Sequence, residues 1–178
     1  MMEGTFEDLV RTTSRSWREE FPEHDASPVL LFMRLGHLSK RLQHFHEGVL
    51  RPHGRTLTEY QVLATLRMNG AQSPTRLNGL LMLTRAGMTN TVDRLEDAGL
   101  VRRHADGADA RSIRIHLTPQ GTLHAEKLLL AEREAQEDLL AGIGRGERRA
   151  LGRAIATLID AFDAPTGSGR EPTTRRGR

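Results

Sequence analysis

Residues 73–101 read SPTRLNGLLMLTRAGMTNTVDRLEDAGLV, and this stretch decides the fold. Ser73-Pro74 is a helix start: the hydroxyl caps free N–H groups, and the missing N–H of proline costs nothing in a first turn. Leu77, Leu80 and Leu81 give that short helix an inward side. Thr84 caps a second helix, whose Met88, Val92 and Leu95 repeat at helical spacing. Gly99 supplies its left-handed stop. Two short helices joined by a tight turn make a helix-turn-helix. The second helix has a small, polar N-terminal half in Arg85, Ala86, Gly87, Thr89 and Asn90. With Met88, Val92 and Leu95 inside, positions near 86, 90 and 93 point outward. A major groove admits such a helix, and Arg and Asn pair with base edges. Arg85, Ala86, Thr89 and Asn90 are therefore expected at bases. Thr75, Arg76 and Arg94 are expected at phosphates, which give affinity more than sequence choice. Asp93, Glu96 and Asp97 read as a solvated helix face.

Downstream, the period changes from helix to strand. Leu100-Val101-Arg102-Arg103 begins an alternating segment, ADGADA (105–110) is turn-rich, and Ser112 to Leu117 alternates polar and apolar strictly. Together they predict a β-hairpin with a polar tip. Arg111 at the tip is suited to a minor groove, and Asp109 to bracing the backbone or pairing with Arg111. Thr118-Pro119 then caps a long helix carrying Leu123, Leu128, Leu130 and Leu139. GIGRGE (142–147) breaks it. A last helix shows Leu151, Ala154, Ile155, Leu158, Ile159 and Phe162 on one face. From Ala164 the chain is mostly Pro, Gly, Ser, Thr and Arg, a composition expected to be disordered.

Upstream, residues 5–21 read as a helix with Phe6, Leu9, Val10 and Trp17 as apolar members. After FPEHDASP, Ser27 is expected to cap a long helix with Pro28 in its first turn. Leu31, Leu35, Leu38, Leu42, Phe45 and Val49 form a stripe that should be buried, and Pro52 and Gly54 end it. Thr58 and Gln61 have capping-box spacing and open a helix through Val62, Leu63 and Leu66, ended by Gly70. The organisation expected is 1–54 for N-terminal dimerisation helices and 55–117 for a winged helix-turn-helix lobe. Residues 118–163 supply C-terminal dimerisation helices, and 164–178 an Arg-rich tail. The fold class is mainly α with a small β-hairpin wing. The stripes at 31–49 and 151–162 exceed what one small lobe can cover, so a homodimer is expected.

Composition narrows the function. The chain has 178 residues, 37% hydrophobic and 28% charged, with no cysteine. Disulfides, thiolate nucleophiles and Cys-based zinc sites are thereby excluded. No run of 18 apolar residues occurs, so no spanning helix and no membrane partner are expected. MMEGTFEDLV lacks the basic and then apolar pattern of a signal peptide, and a cytoplasmic place is expected. The net charge of +3 lies in the tail: residues 1–169 carry 22 basic and 22 acidic side chains. Between 76 and 116 there are seven Arg against five acidic residues, a modest basic bias. No phosphate loop, nucleophile elbow or paired catalytic carboxylates are present, so no enzyme and no cofactor are expected. His37, His44 and His46 leave a metal-responsive regulator as an alternative, without Cys or HExxH-like support. An architectural DNA-binding protein without sequence specificity is a second alternative.

Several motifs resemble those of the MarR-type transcription regulators: LTEYQVLATL (57–66), the helix-turn-helix at 73–98, GLVRR (99–103), the DGADAR tip (106–111) and LTPQG (117–121). The family pattern of Asp-x-Arg at the wing tip and Leu-Thr-x-x-Gly after it is matched by Asp109-Ala110-Arg111 and Leu117 to Gly121. The resemblance spans roughly residues 28–163. It implies a bacterial homodimer with interlocked terminal helices, each subunit presenting a winged helix to one half-site of double-stranded DNA. It also implies, for many members, a repressor released by a phenolic or aromatic small-molecule effector. The added N-terminal helix is similar to that of the urate-responsive subgroup, which implies a ligand site at Trp17, Gln61 and Arg103. Gln61 and Thr91 stand where that subgroup has an acidic residue and an Arg. The resemblance thus carries the pocket's place and not urate.

Overall fold

The computed structural model describes residues 4–106 and 109–164, and of 106 and 109–112 it describes the backbone alone. The helices are α1 (Phe6–Glu20), α2 (Ser27–Leu50), α3 (Leu57–Asn69), α4 (Pro74–Leu81), α5 (Arg85–Asp97), α6 (Pro119–Leu139) and α7 (Arg145–Asp163). A 3-10 turn at Arg51–His53 follows α2, and strands β1 (Val101–Asp106) and β2 (Asp109–Leu117) stand between α5 and α6. The strands pair antiparallel, with Val101 opposite Leu117 and Arg103 opposite Ile115. Gln72 adds a bridge to Ile115 through two backbone bonds of 3.2 and 2.8 Å, which fastens the α3–α4 connection to the hairpin. The wing of a winged helix-turn-helix is thus present where the alternating sequence placed it.

The chain divides into two compact units, Met1–Ala135 and Gln136–Arg178. In the first, one core draws on seven elements: Leu50, Val62, Leu63, Leu66, Leu77, Met88, Val92, Leu95, Leu100, Val101, Ile115, Ala125 and Leu128 are all buried. Burying each Leu or Val of this set contributes about 1.5–3 kcal/mol, so the three short helices and hairpin cohere without metal or disulfide. The first turn of α6 is pressed onto the root of the wing. A Cβ on Gly121 would lie 1.8 Å from the Leu100 carbonyl oxygen, so only glycine fits there. Thr118 locks the same corner: its Oγ1 accepts from Gly121 N at 2.9 Å and donates to Gly99 O at 2.7 Å. Farther along, α6 is tied to α3 by Arg67–Glu126 at 2.7 Å and to α2 by His46 Nδ1, 2.9 Å from the buried Glu132.

Most predicted boundaries are met, with instructive shifts. Ser73 accepts from Arg76 N and Thr84 from Gly87 N, as expected of caps. Gly99 has φ +70°. The third helix begins two residues earlier than expected: Thr56 and Glu59, not Thr58 and Gln61, form its capping box. Ser27 is not a side-chain cap; it lies inside α2, and Asp25 accepts from its N–H instead. Leu80 is exposed, and α6 buries Gly121, Ala125, Leu128 and Glu132 in place of Leu123, Leu130 and Leu139. The expected buried stripe of α2 is only partly covered: Leu31, Leu38 and Leu42 remain 47, 46 and 41% exposed. In the second unit, Leu151, Ile155, Ile159 and Phe162 of α7 are exposed as well. There Arg148 ties the turn before α7, donating to Leu140 O at 2.6 Å and Ile143 O at 2.8 Å. The tail beyond Ala164 lies outside the described residues.

Candidate nucleic-acid interface

Two short helices set the geometry. Leu77 anchors α4, and the chain turns at Met82, whose φ of 51° is the one left-handed non-glycine among the described residues. Side chains resist that region, so the turn is held by its neighbours on the α5 side. The Leu83 N–H bonds Asn78 O at 3.2 Å, and Thr84 caps α5. Met88, Thr91, Val92 and Leu95 then face the core. This leaves Arg85, Ala86, Thr89, Asn90, Asp93 and Arg94 on the solvent side. Thr75 and Arg76 are exposed in the first turn of α4. All seven helix residues expected at DNA are therefore accessible, and the two short helices carry every one. Arg111 belongs to β2, but its side chain lies outside the described residues, as do the partners of Asp109.

Charge on this face is organised. Arg94 donates from Nε to Glu59 Oε1 at 3.0 Å, while Glu59 is buried and caps α3 through Oε2. Arg94 thus stays half-exposed, fixed by a carboxylate that the sequence pattern did not single out. The signal was there: Thr56 and Glu59 stand three apart at a helix start. Asp93 and Glu96 are not a merely solvated face. Arg103 reaches across from β1 to Asp93 at 2.6 Å and Glu96 at 2.5 Å, and its backbone N–H bonds Glu96 at 2.9 Å. The bond from the Arg103 backbone is the first cause holding the Glu96 carboxyl below its usual pKa, against the opposing effect of burial. Burial works against the charge of Arg103, yet the two carboxylates outweigh it and raise its pKa. This cluster clamps the wing to α5.

The residues expected at a ligand site occupy separate stations. Trp17 is half-buried, donates to His24 O at 3.0 Å and rests against Phe21 at 5.0 Å between rings. It lines a cavity of about 250 Å³ with Thr12, Thr13, Ser16, Glu20 and Phe21. Gln61 is half-buried on α3, and Arg103 is held against α5. No hydrogen bond or ring contact among the described residues joins the three. Thr91, at the position where the urate-responsive pattern has Arg, is buried and donates to Gly87 O at 2.8 Å. The histidines disperse: His37 stacks on Phe6 at 3.9 Å, His44 is 3.8 Å from Glu47, and His46 bonds Glu132. Among the described residues no three His, Asp or Glu side chains gather as metal ligands.

Known proteins share this fold. A family model described as "MarR family" matches residues 56–113, the span from the α3 cap through the wing. The transcriptional regulator PecS of Dickeya dadantii is similar, 31% identical over 153 residues that cover 82% of this chain and 92% of PecS. Among solved structures, a Cys-to-Ser variant of MarR from E. coli complexed with operator DNA superposes with a TM-score of 0.63. It is 22% identical, over 80% of this chain and 96% of that one. BpsR of Bordetella bronchiseptica, whose DNA binding is regulated by 6-hydroxynicotinic acid, gives a TM-score of 0.61. It is 24% identical, over 71% of this chain and 99% of that one.

Proposed function

The chain belongs to the MarR family of transcription regulators, and from that premise we propose that it is a homodimeric repressor released by a small aromatic or phenolic effector. The observation that carries the DNA-binding half is the accessible polar face of α5, with Arg85, Thr89 and Asn90 exposed over a buried Met88, Val92 and Leu95. Arg85, Ala86, Thr89 and Asn90 read base edges in this proposal. Thr75, Arg76 and Arg94 hold phosphates, and Arg111 enters the minor groove. Binding DNA places the protein in the cytoplasm; no helix among the described residues is long and apolar enough to cross a membrane.

Dimerisation rests on the uncovered apolar faces. Leu31, Phe32, Leu38 and Leu42 of α2 and Leu151, Ile155, Ile159 and Phe162 of α7 are each at least 41% exposed in the single chain. A second copy covers them, and two-fold symmetry then sets two α5 helices about one DNA turn apart on a pseudo-palindrome.

The effector acts at Trp17, Gln61 and Arg103. Arg103 is the coupling residue, because its guanidinium already joins the wing to α5 through Asp93 and Glu96. An acidic or phenolic group that draws Arg103 away loosens that clamp, and DNA affinity falls by the ligand's preference for the loosened state. The similarity to BpsR, which is regulated by an aromatic acid, supports this class of effector. The test is a titration against the DNA upstream of the protein's own gene and against random DNA of equal length, at near-physiological salt. Tight binding to the first alone is expected. Equal binding to both replaces the proposal with an architectural DNA-binding protein, whose affinity is set by salt alone.

A further inference from the structure

Arg102 and Arg103 are neighbours in β1 and point to opposite faces of the hairpin. Arg103 faces α5 and is neutralised there by Asp93 and Glu96. Arg102 faces outward, is exposed, and makes no hydrogen bond or ion pair among the described residues. Beside it stand His104 and His116, their rings perpendicular with centroids 5.2 Å apart. These three line an open cavity of about 610 Å³, closed below by Leu117 and by Pro119 and Gln120 of the first turn of α6. Among the described residues no carboxylate lines it. Arg11 of α1 and Arg34 of α2 are arranged differently, being paired with Asp8 and Glu7.

The walls are fixed before anything binds. Gly121 sits against the Leu100 carbonyl, and Thr118 bonds both Gly99 and Gly121. The wing root and α6 therefore cannot slide apart without breaking the core contact.

The geometry points to a second binding site at the wing root, for a small planar carboxylate. A guanidinium offers a carboxylate two parallel donors. The imidazoles add N–H groups, and their ring faces with Leu117 and Pro119 receive a flat apolar body. The start of the 21-residue α6 favours negative charge at the same place. The site is distinct from the effector site proposed above and lies on the other face of the strand from Arg103. The six residues of β1 set the root about 20 Å from the far end of that strand.

Benzoate is the probe, with benzamide as its uncharged isostere, on the full-length protein labelled at histidine. Loss of signals in His104→Gln and His116→Gln assigns the two rings. Benzoate is expected to shift both resonances along one saturable curve, and benzamide is not. Arg102→Gln, an exposed position whose change leaves the fold intact, weakens the binding at least tenfold. Trp17→Ala, aimed at the effector site, leaves it in place, so the two sites fail separately. The inference is overturned by three outcomes: no saturable shift, equal shifts with benzamide, or an Arg102→Gln protein that binds benzoate as before. It is also overturned if Arg102→Gln in benzoate-free buffer lowers operator affinity and cuts the salt slope by about one, which marks a DNA phosphate contact.

Discussion

The lobe from α3 to the wing and the long helices α2 and α7 carry equally regular apolar patterns and use them in opposite ways. In the lobe, Val62, Leu63, Leu77, Val92 and Leu95 are all at most 1% exposed. On α2 and α7, Phe32 and Phe162 stay 55 and 68% exposed. A periodic stripe states how much surface must be covered, and not by which chain. The largest expected effect tests that division. Leu95→Ala removes a fully buried side chain and should cost about 2–5 kcal/mol in chemical unfolding, whatever the protein concentration. Ile155→Lys in α7 should instead halve the mass seen in sedimentation and make stability independent of concentration. If Ile155→Lys left the mass unchanged, or if Leu95→Ala showed up only through assembly, the contrast between the two regions would collapse.

A second test bears on the joint of the lobe. Gly121→Ala places a methyl group 1.8 Å from a backbone oxygen. Overpacking of this kind typically costs about 1–3 kcal/mol, and backbone offers less relief than a flexible side chain. Thermal denaturation should show that loss in full, because Gly121 packs directly onto the lobe at Leu100. Leu123→Ala, two residues on and 70% exposed, should leave the lobe's transition where it is. Next in size is Thr84→Ala, which deletes the α5 cap and should cost about 1 kcal/mol.

Much of the lobe was legible because its signals are local. Ser73, Thr84 and Gly99 act within three or four residues of where they stand, as does Thr118 in capping Gly121, so the sequence displays these contacts directly. The α3 start was misplaced because Thr56-x-x-Glu59 and Thr58-x-x-Gln61 offer the same pattern in two registers, and only the observed register also brings Glu59 to Arg94, 35 residues away. Pairs of that separation leave no mark on periodicity. The same holds for Arg103 with Asp93 and Glu96, ten and seven residues apart on different elements. These contacts turn a supposed solvated face into the clamp between the wing and α5. Gly121 was quoted as part of a motif, but the reason for it, a close approach to Leu100, is a fact of packing. The apolar stripe of α2 is present as a stripe, and the part that one lobe cannot cover stays exposed in the single chain.

The smallest expected effect concerns that clamp. The Glu96 carboxyl is held below its usual pKa, first by the Arg103 backbone N–H and then by its side chain. A carboxylate with a depressed native pKa stabilises the fold above its unfolded pKa of about 4.3, and that contribution fades as pH falls through the native value. The pair is partly exposed, so the amount is about 0.5 kcal/mol at neutral pH. Glu96→Gln should therefore lower stability slightly at pH 7 and converge with the unmodified protein at the acid end, as followed by urea unfolding from pH 7 down to 3. Arg102→Gln, one residue from Arg103 and on the other face, should leave the profile unchanged. A parallel offset between Glu96→Gln and the unmodified protein at every pH would mean that the side chain is held by shape alone. The clamp would then offer an effector no charge to compete for, because drawing Arg103 from α5 loosens the wing only if its attachment is electrostatic.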